Sequence, residues 1–244
     1  MPVHTESVGM TDVGSQRSHN EDAHVADDGH GFWVVCDGMG GHASGAVASQ
    51  VAIDAITRSL SSKRAGNGVE PLVAAILDAN ASVLKRARSD VTCRGMGTTV
   101  VGLRLDGDVV HACHVGDSRI YLLRDGKLKQ LTRDHSLINL YADNPQLVGR
   151  LGPAHSNVIV RAVGLRDNLE VDHQTVPLSA GDVFLLCCDG LTDMVDDWLI
   201  QEILNRAGMG LLELPVAART LIDSANANGG ADNITVVLVQ VQSA

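Results

Sequence analysis

Two Asp-Gly dipeptides decide how the apolar runs of this chain can pair. The strand signals are short and rich in valine: Phe32–Cys36, Thr98–Leu105, Val109–Val115, Ile120–Leu123, Val183–Cys188 and Ile234–Val241. Several are apolar on consecutive residues, a pattern that belongs to strands covered on both faces and usually to parallel sheets. Asp106-Gly107, however, joins VVGLRL to DVVHACHV, and Asp125-Gly126 joins RIYLL to KLKQL. Both are two-residue hairpin signals. Antiparallel strands that are buried on both faces are predicted to form two sheets packed face to face with helices outside them. The result is a four-layer α-β-β-α sandwich of the α+β class.

The helices for the outer layers are legible. Val47, Val51, Ala55, Ile56 and Leu60 have helical spacing, as do Leu72, Val73, Ile76, Leu77, Asn80, Val83, Leu84 and Ala87 behind Pro71. Asp196 and Asp197 open a third helix through Ile203 and Leu204, and Pro215 a fourth through Leu221, Ile222 and Ala225. No repeat or linker interrupts the 244 residues, so one domain over 1–244 is expected. At 45% hydrophobic and 2% aromatic, its core must be aliphatic. Residues 134–168 fit neither periodicity and are broken by Asn144-Pro145 and Gly152-Pro153. An insertion of that length is expected to be a flap.

A net charge of −10 argues against nucleic-acid or anionic-membrane binding, because both want a basic face. The five cysteines include no C-x-x-C pair, and four sit in apolar runs, which reads as free thiols in a reducing compartment. The start, MPVHTESVGM, lacks the cationic and apolar regions of a signal peptide, and no apolar run reaches membrane-spanning length. A soluble cytoplasmic protein, monomeric and without nucleic-acid or membrane partners, is the expectation.

Four aspartates stand at strand ends. FWVVCDGMGG runs a buried strand into Asp37, VFLLCCDG does so into Asp189, HACHVGDSR into Asp117, and GGADNITVV places Asp232 just before a strand. In antiparallel sheets the end of one strand lies beside the start of its neighbour, so all four can gather at one rim. Any one of them alone would be read as a turn residue, as Asp106 and Asp125 are. Together, with no accompanying histidine or cysteine ligands, they call for a hard cation, Mg²⁺ or Mn²⁺. Two such ions roughly 3.5–4 Å apart suit in-line phosphoryl transfer. Upstream, Arg17 precedes Asn20-Glu21-Asp22. A guanidinium suits bidentate phosphate binding, and adjacent acids can hold water near a metal.

In order, the segments RSHNED (17–22), VCDGMGGH (35–42), GMGTT (95–99), GDSR (116–119), TRDHS (132–136), RAVG (161–164), CDGLTD (188–193) and ADNITV (231–236) resemble the metal-dependent protein phosphatases of the type 2C serine/threonine class. The ordered set spans nearly the whole chain and is similar to bacterial members. The resemblance implies a hydrolase acting on phosphoserine and phosphothreonine in proteins, the products of serine/threonine kinases. A hydroxide bridging two Mn²⁺ or Mg²⁺ ions would attack directly, with no phosphoenzyme. It further implies that Asp37 bridges the two metals, that the Gly38 carbonyl binds the second, and that Asp189 and Asp232 complete the first. Glu21 and Asp22 would hold metal-bound water, Arg17 would clamp the substrate phosphate, Asp117 with Asp189 would bind a third metal, and 134–168 would be the flap beside the site.

Met39 departs from the pattern of many eukaryotic members, which carry histidine there as the proposed general acid. A thioether cannot donate a proton. The donor must then be a metal-bound water or, ranked below it, His42. His111 and His114 sit within a strand and are expected to be packing residues, while His19 and His135 have no assigned role. Three competing readings use the same fold: a phosphoprotein-binding pseudophosphatase, disfavoured by the intact acid set, a regulator acting on one dedicated phosphoserine partner, and a general small-molecule phosphomonoesterase.

Overall fold

The alternation within each apolar run sends successive side chains to two different cores. In the computed structural model, which describes residues 3–41, 44–62, 66–142 and 158–243, strand β3 (Phe32–Met39) shows this directly. Trp33 and Val35 join a cluster with Val101, Leu103, Ile120, Leu122, Phe184, Leu186, Val237 and Val239 between the sheets. Phe32, Val34 and Cys36 point the other way, into a cluster with Ile53, Ile56, Leu72 and Ile76 of the helices. Each fully buried side chain of this size contributes roughly 1.5–3 kcal/mol. Polar alternation is therefore absent because neither face of β3 meets water.

The remaining strands are β1 (His4–Asp12), β2 (Asp22–Asp27), β4 (Gly97–Thr98), β5 (Val100–Asp106), β6 (Val109–Val115), β7 (Arg119–Arg124), β8 (Lys127–Gln130), β9 (Asp172–Pro177), β10 (Val183–Cys187) and β11 (Ile234–Ser243). One sheet has the order β1-β11-β10-β7-β8, the other β2-β3-β5-β6-β9, with β4 pairing beside β3. Every pairing along these sheets is antiparallel. Both Asp-Gly hairpins form, between β5 and β6 and between β7 and β8.

Helices α1 (Ser44–Leu60) and α2 (Glu70–Ser89) cover the β3 sheet, while α5 (Asp197–Gly208) and α6 (Leu214–Ala227) cover the β10 sheet through Ile200, Leu204, Leu221 and Ile222. The sandwich is thus the predicted one. Two short helices, α3 (Leu137–Ala142) and α4 (Asp189–Thr192), lie in the connections. Among the described residues no helix is long and apolar enough to cross a membrane.

Three differences from the sequence reading matter for the site. The run Thr98–Leu105 is not one strand. It breaks at Thr99, because Thr98 pairs with Gly38 and bridges to Val163, while the Thr99 N–H donates to the Asp37 carbonyl at 2.8 Å. The polar segment around Asp22, which carries no apolar run and is not among the strand signals, is strand β2, paired residue by residue with β3. Strands β1 and β9 also carry no apolar run, and form by pairing onto the buried β11 and β6.

Of the segment 134–168, residues 143–157 lie outside the described residues. Its two ends are tied together. Ser136 bridges to Ile159, the Leu137 N–H donates to Val158, and the Val160 N–H donates to His135. The His135 N–H in turn donates to the Gly116 carbonyl at 2.9 Å, so this base lies against the residue before Asp117.

Candidate metal centre

The β2–β3 register places Asp22 directly opposite Asp37. Like charges in that relation oppose pairing, so the sheet carries an electrostatic cost here. The backbone of Asp37 is pinned. Its N–H donates to Thr99 Oγ1 at 3.0 Å, and its carbonyl accepts from Thr98 Oγ1 and from the Thr99 N–H, both at 2.8 Å. Asp22 accepts from Thr235 Oγ1 at 2.6 Å. Asp37 also lies near Asp189, and two ionised carboxylates so placed repel each other.

The four strand-end aspartates do converge. Burial pushes Asp37 well above the usual carboxylate range, reinforced by Asp22, Asp189, Asp117 and Asp232. Burial raises Asp22 to about 6 and Asp117 to about 7, and in Asp117 the charge of Asp189 adds to it. Asp189 is raised by burial and by Asp193 and Asp232. At the exposed edge, Arg17 donates to Asp232 Oδ2 at 2.6 Å. Arg17 thus begins at the rim, paired to one of the acids.

Glycines permit the close approach. A Cβ on Gly38 would collide with the carbonyls of Glu21 and Gly45, and one on Gly45 would sit 2.7 Å from the Gly38 oxygen and 2.8 Å from the Glu21 carboxyl carbon. The Gly38 carbonyl and the Glu21 side chain therefore both lie at the start of α1. Met39 is half-buried beside them. His42 lies outside the described residues.

The donor set fits hard divalent cations on two observations. Among the described residues, Asp117 Oδ1 and Asp189 Oδ1 are buried with no hydrogen-bond partner. Such orphaned acceptors need a cation or a proton. Second, the four carboxylates of Asp22, Asp37, Asp117 and Asp189, all held at raised pKa, keep their charge cheaply only with positive charge among them. Cys188 Sγ also comes within 4.8 Å of oxygens on Asp22 and Asp37. Its thiol is pushed far up by burial and by those acids, and it donates to the Asn233 carbonyl at 3.2 Å.

A second convergent group, His114, His135 and Asp172, lies at the base of the segment 134–168. It carries its own cation, since Arg161 Nη1 reaches Asp172 Oδ1 at 2.5 Å and His135 Nε2 at 3.2 Å. The two imidazoles stack with centroids 4.7 Å apart, and burial lowers both, His135 to about 4. His111 and His114 are buried within β6 at 6% and 7% exposure, as packing residues should be. His19 is exposed, with Nδ1 2.6 Å from Ser18 Oγ.

Sequence reasoning assigned no role to Asn233, Thr98 or Thr99. Asn233 is the knot of the Arg17 loop: its Nδ2 donates to the carbonyls of Val13 and His19, and its Oδ1 accepts from the Glu21 N–H. The only signal for it was its place after Asp232 in ADNITV. Gly190 must be glycine because a Cβ there would strike the Asn233 carbonyl.

The chain as a whole is similar to known proteins. Residues 14–209 match the family model described as protein phosphatase 2C. The serine/threonine phosphatase stp of Listeria monocytogenes is 36% identical over 239 residues, covering 94% of this chain and 93% of its own. The crystal structure of the Mycobacterium tuberculosis serine/threonine phosphatase PstP/Ppp superposes with a TM-score of 0.86 at 33% identity, covering 98% of this chain and 99% of that one. A structure of the PstP catalytic domain in complex with two manganese ions gives 0.86 at 34% identity, covering 99% of each chain. With the acid rim and the sandwich in place, these matches establish that the chain is an enzyme of the protein phosphatase 2C family.

Proposed function

We propose that this chain hydrolyses phosphoserine and phosphothreonine in proteins, the products of serine/threonine kinases, and that residues 1–244 act as one catalytic unit, a monomer with a flap at 134–168. The observation that carries the reading is the rim itself, where Asp37, Asp117, Asp189 and Asp232 meet with two buried, unpartnered carboxylate oxygens. Two Mn²⁺ or Mg²⁺ ions, when bound, would activate water for direct attack on phosphorus without a phosphoenzyme and neutralise charge on the phosphoryl oxygens. Asp37, the Gly38 carbonyl, Asp189 and Asp232 would hold them, and Asp117 with Asp189 would hold a third.

The chain's own residues do the rest. Glu21 and Asp22 orient water beneath the phosphate. Arg17 leaves Asp232 for the phosphate, exchanging a half-exposed ion pair for a bidentate one that strengthens as charge builds on the phosphoryl oxygens. Met39 donates nothing, so the leaving oxygen takes its proton from water or from His42. The buried thiols, all five unpaired, support a reducing, cytoplasmic setting.

The test is hydrolysis of an aryl phosphate and a phosphothreonine peptide with Mn²⁺, with and without chelator. Activity should require the metal and fall at least about 10³-fold in Asp189→Ala. Full activity in both Asp189→Ala and Asp37→Ala would overturn the assignment.

A further inference from the structure

A single hydroxyl joins the backbone of Asp37 to the loop that presents Asp117. Thr99 and Ser118 are fully buried, at 0% and 1% exposure. Thr99 Oγ1 accepts from the Asp37 N–H at 3.0 Å and lies 2.7 Å from Ser118 Oγ. The backbone of Thr99 returns a second bond, N–H to the Asp37 carbonyl at 2.8 Å. On the other side, Gly116 at φ +108 presses its α-carbon onto the same threonine: a Cβ there would lie 2.6 Å from Thr99 Cγ2 and 2.7 Å from Thr99 Cβ. The Gly116 peptide is itself clamped by His135, whose Nδ1 accepts its N–H at 3.1 Å and whose N–H donates to its carbonyl at 2.9 Å.

The Asp117 loop therefore cannot move toward or away from Asp37 without breaking a buried hydroxyl pair or displacing the threonine. Those two aspartates come from different elements, Asp37 from strand β3 and Asp117 from the β6–β7 connection, and share no direct side-chain bond. Their carboxylates repel each other. Mutual repulsion would splay the two loops unless something neutral ties them. Thr99 supplies that tie, because a hydroxyl can accept from one group and donate to the other at once.

We propose that Thr99, with Ser118, is a positioning pair that holds the Asp37 and Asp117 carboxylates at a common spacing, so that cation binding at Asp37 and cation binding at Asp117 favour one another. The inference rests on the metal reading under Proposed function. It makes the third position depend on a hydroxyl bridge that touches neither metal nor substrate.

The experiment compares the wild-type chain with Thr99→Val, Thr99→Ser and Ser118→Ala by Mn²⁺ titration calorimetry, together with kcat and KM against Mn²⁺ concentration. Ser118→Ala cuts the tie on the Asp117 side alone. It should raise the Mn²⁺ concentration needed for half-maximal kcat about tenfold, leaving KM and the tighter Mn²⁺ sites nearly unchanged. Thr99→Val cuts both sides and should weaken the tighter sites as well, whereas Thr99→Ser, which keeps the hydroxyl, should restore wild-type titrations. Thr99→Val and Ser118→Ala titrating as wild type while the wild type binds Mn²⁺ and turns over would overturn the pair and leave the phosphatase reading standing. A wild-type chain that neither binds Mn²⁺ nor hydrolyses phosphoesters would overturn both. Should Thr99→Val fail to fold, Ser118→Ala decides alone.

Discussion

Asp37-Gly38 and Asp106-Gly107 are the same dipeptide at opposite ends of one sheet. Strand β5 runs antiparallel to β3, so the residue at the head of β3, Phe32, pairs with Arg104, and the two Asp-Gly steps are separated by the length of the strands. Their electrostatics are opposite. Asp106 accepts from the Gly68 N–H at 2.6 Å, with His111 and Arg104 nearby, and these hold it below the usual carboxylate range. Asp37 has carboxylates for neighbours and is pushed well above that range by burial and by them. The β7–β8 turn shares the position of the first case: Asp125-Gly126 lies at the Leu123–Val183 end of its sheet, away from Asp189. Asp106 finishes its turn with partners, whereas Asp117 and Asp189 each keep a buried carboxylate oxygen without one. The fold concentrates its unsatisfied charge at one rim and completes the other.

The largest test of this contrast is a double dissociation. Asp37→Asn should lower metal-dependent hydrolysis at least about 10³-fold. It should also raise the melting temperature of the chelated protein by about 3 °C or more, since a neutral amide replaces a repelled, desolvated charge. Asp106→Ala should instead lower the melting temperature and leave hydrolysis unchanged. Calorimetry and initial rates on both variants check the pair of signs. A chelated Asp37→Asn variant less stable than the wild type would break the comparison.

The second test is the pH dependence of the chelated protein. Asp22 rises from 3.8 to about 6 and Asp117 from 3.8 to about 7, so between those limits the folded state binds more protons than the unfolded state. Stability therefore falls as pH rises from about 4 to about 7, and the penalty is complete above the folded values. Cooling the charge with a cation reverses the sign: Mn²⁺ competes with those protons, so its stabilisation should grow over the same window. Melting temperatures with and without Mn²⁺ should lie close together at pH 5 and diverge at pH 8. An unchanged gap would mean that the acids do not titrate in the fold as their surroundings require.

How much of this was legible follows from the same physics. The sandwich could be read because its strands are apolar on both faces and its hairpins are two residues long. The four aspartates could be read because each stands where a buried run meets a glycine. Strands β1, β2 and β9 could not, since their polar residues become strand only by pairing with β11, β3 and β6. The face-to-face placement of Asp22 and Asp37 went unread with them. Asn233 and Thr99 were equally silent: a buried amide or hydroxyl acquires its role from partners up to 220 residues away in sequence. Sequence spacing carries no trace of that.

A smaller effect is expected at Asp106 itself. Asp106→Ala leaves the Gly68 N–H without its partner and Arg104 without a nearby counter-charge, and it removes the carboxylate 3.6 Å from His111 Nε2, a loss of about 1 kcal/mol for a partly exposed group. That corresponds to roughly 2–4 °C for a chain of this size. Because the group's pKa is depressed in the folded state, the loss should be present at neutral pH and shrink as pH falls below the usual carboxylate value. Hydrolysis at saturating Mn²⁺ should not change. A shift in the metal requirement would mean that the two rims communicate through β5.

The smallest effect belongs to Asp125, and it marks where the contrast ends. Asp125 adopts φ 50 in the two-residue turn, a conformation that asparagine accepts at least as readily. It stands next to Arg124, whose guanidinium is already committed to Asp182 at 2.6 Å, so removal of the Asp125 charge leaves that ion pair intact. Asp125→Asn should then shift stability by less than about 0.5 kcal/mol and leave rate and metal dependence alone. Thermal melts resolve a change of that size only as an upper bound, and that bound is the useful result. An aspartate whose replacement costs nothing, set against one whose replacement stabilises the chelated fold and abolishes turnover, would separate turn chemistry from cation chemistry on a single dipeptide.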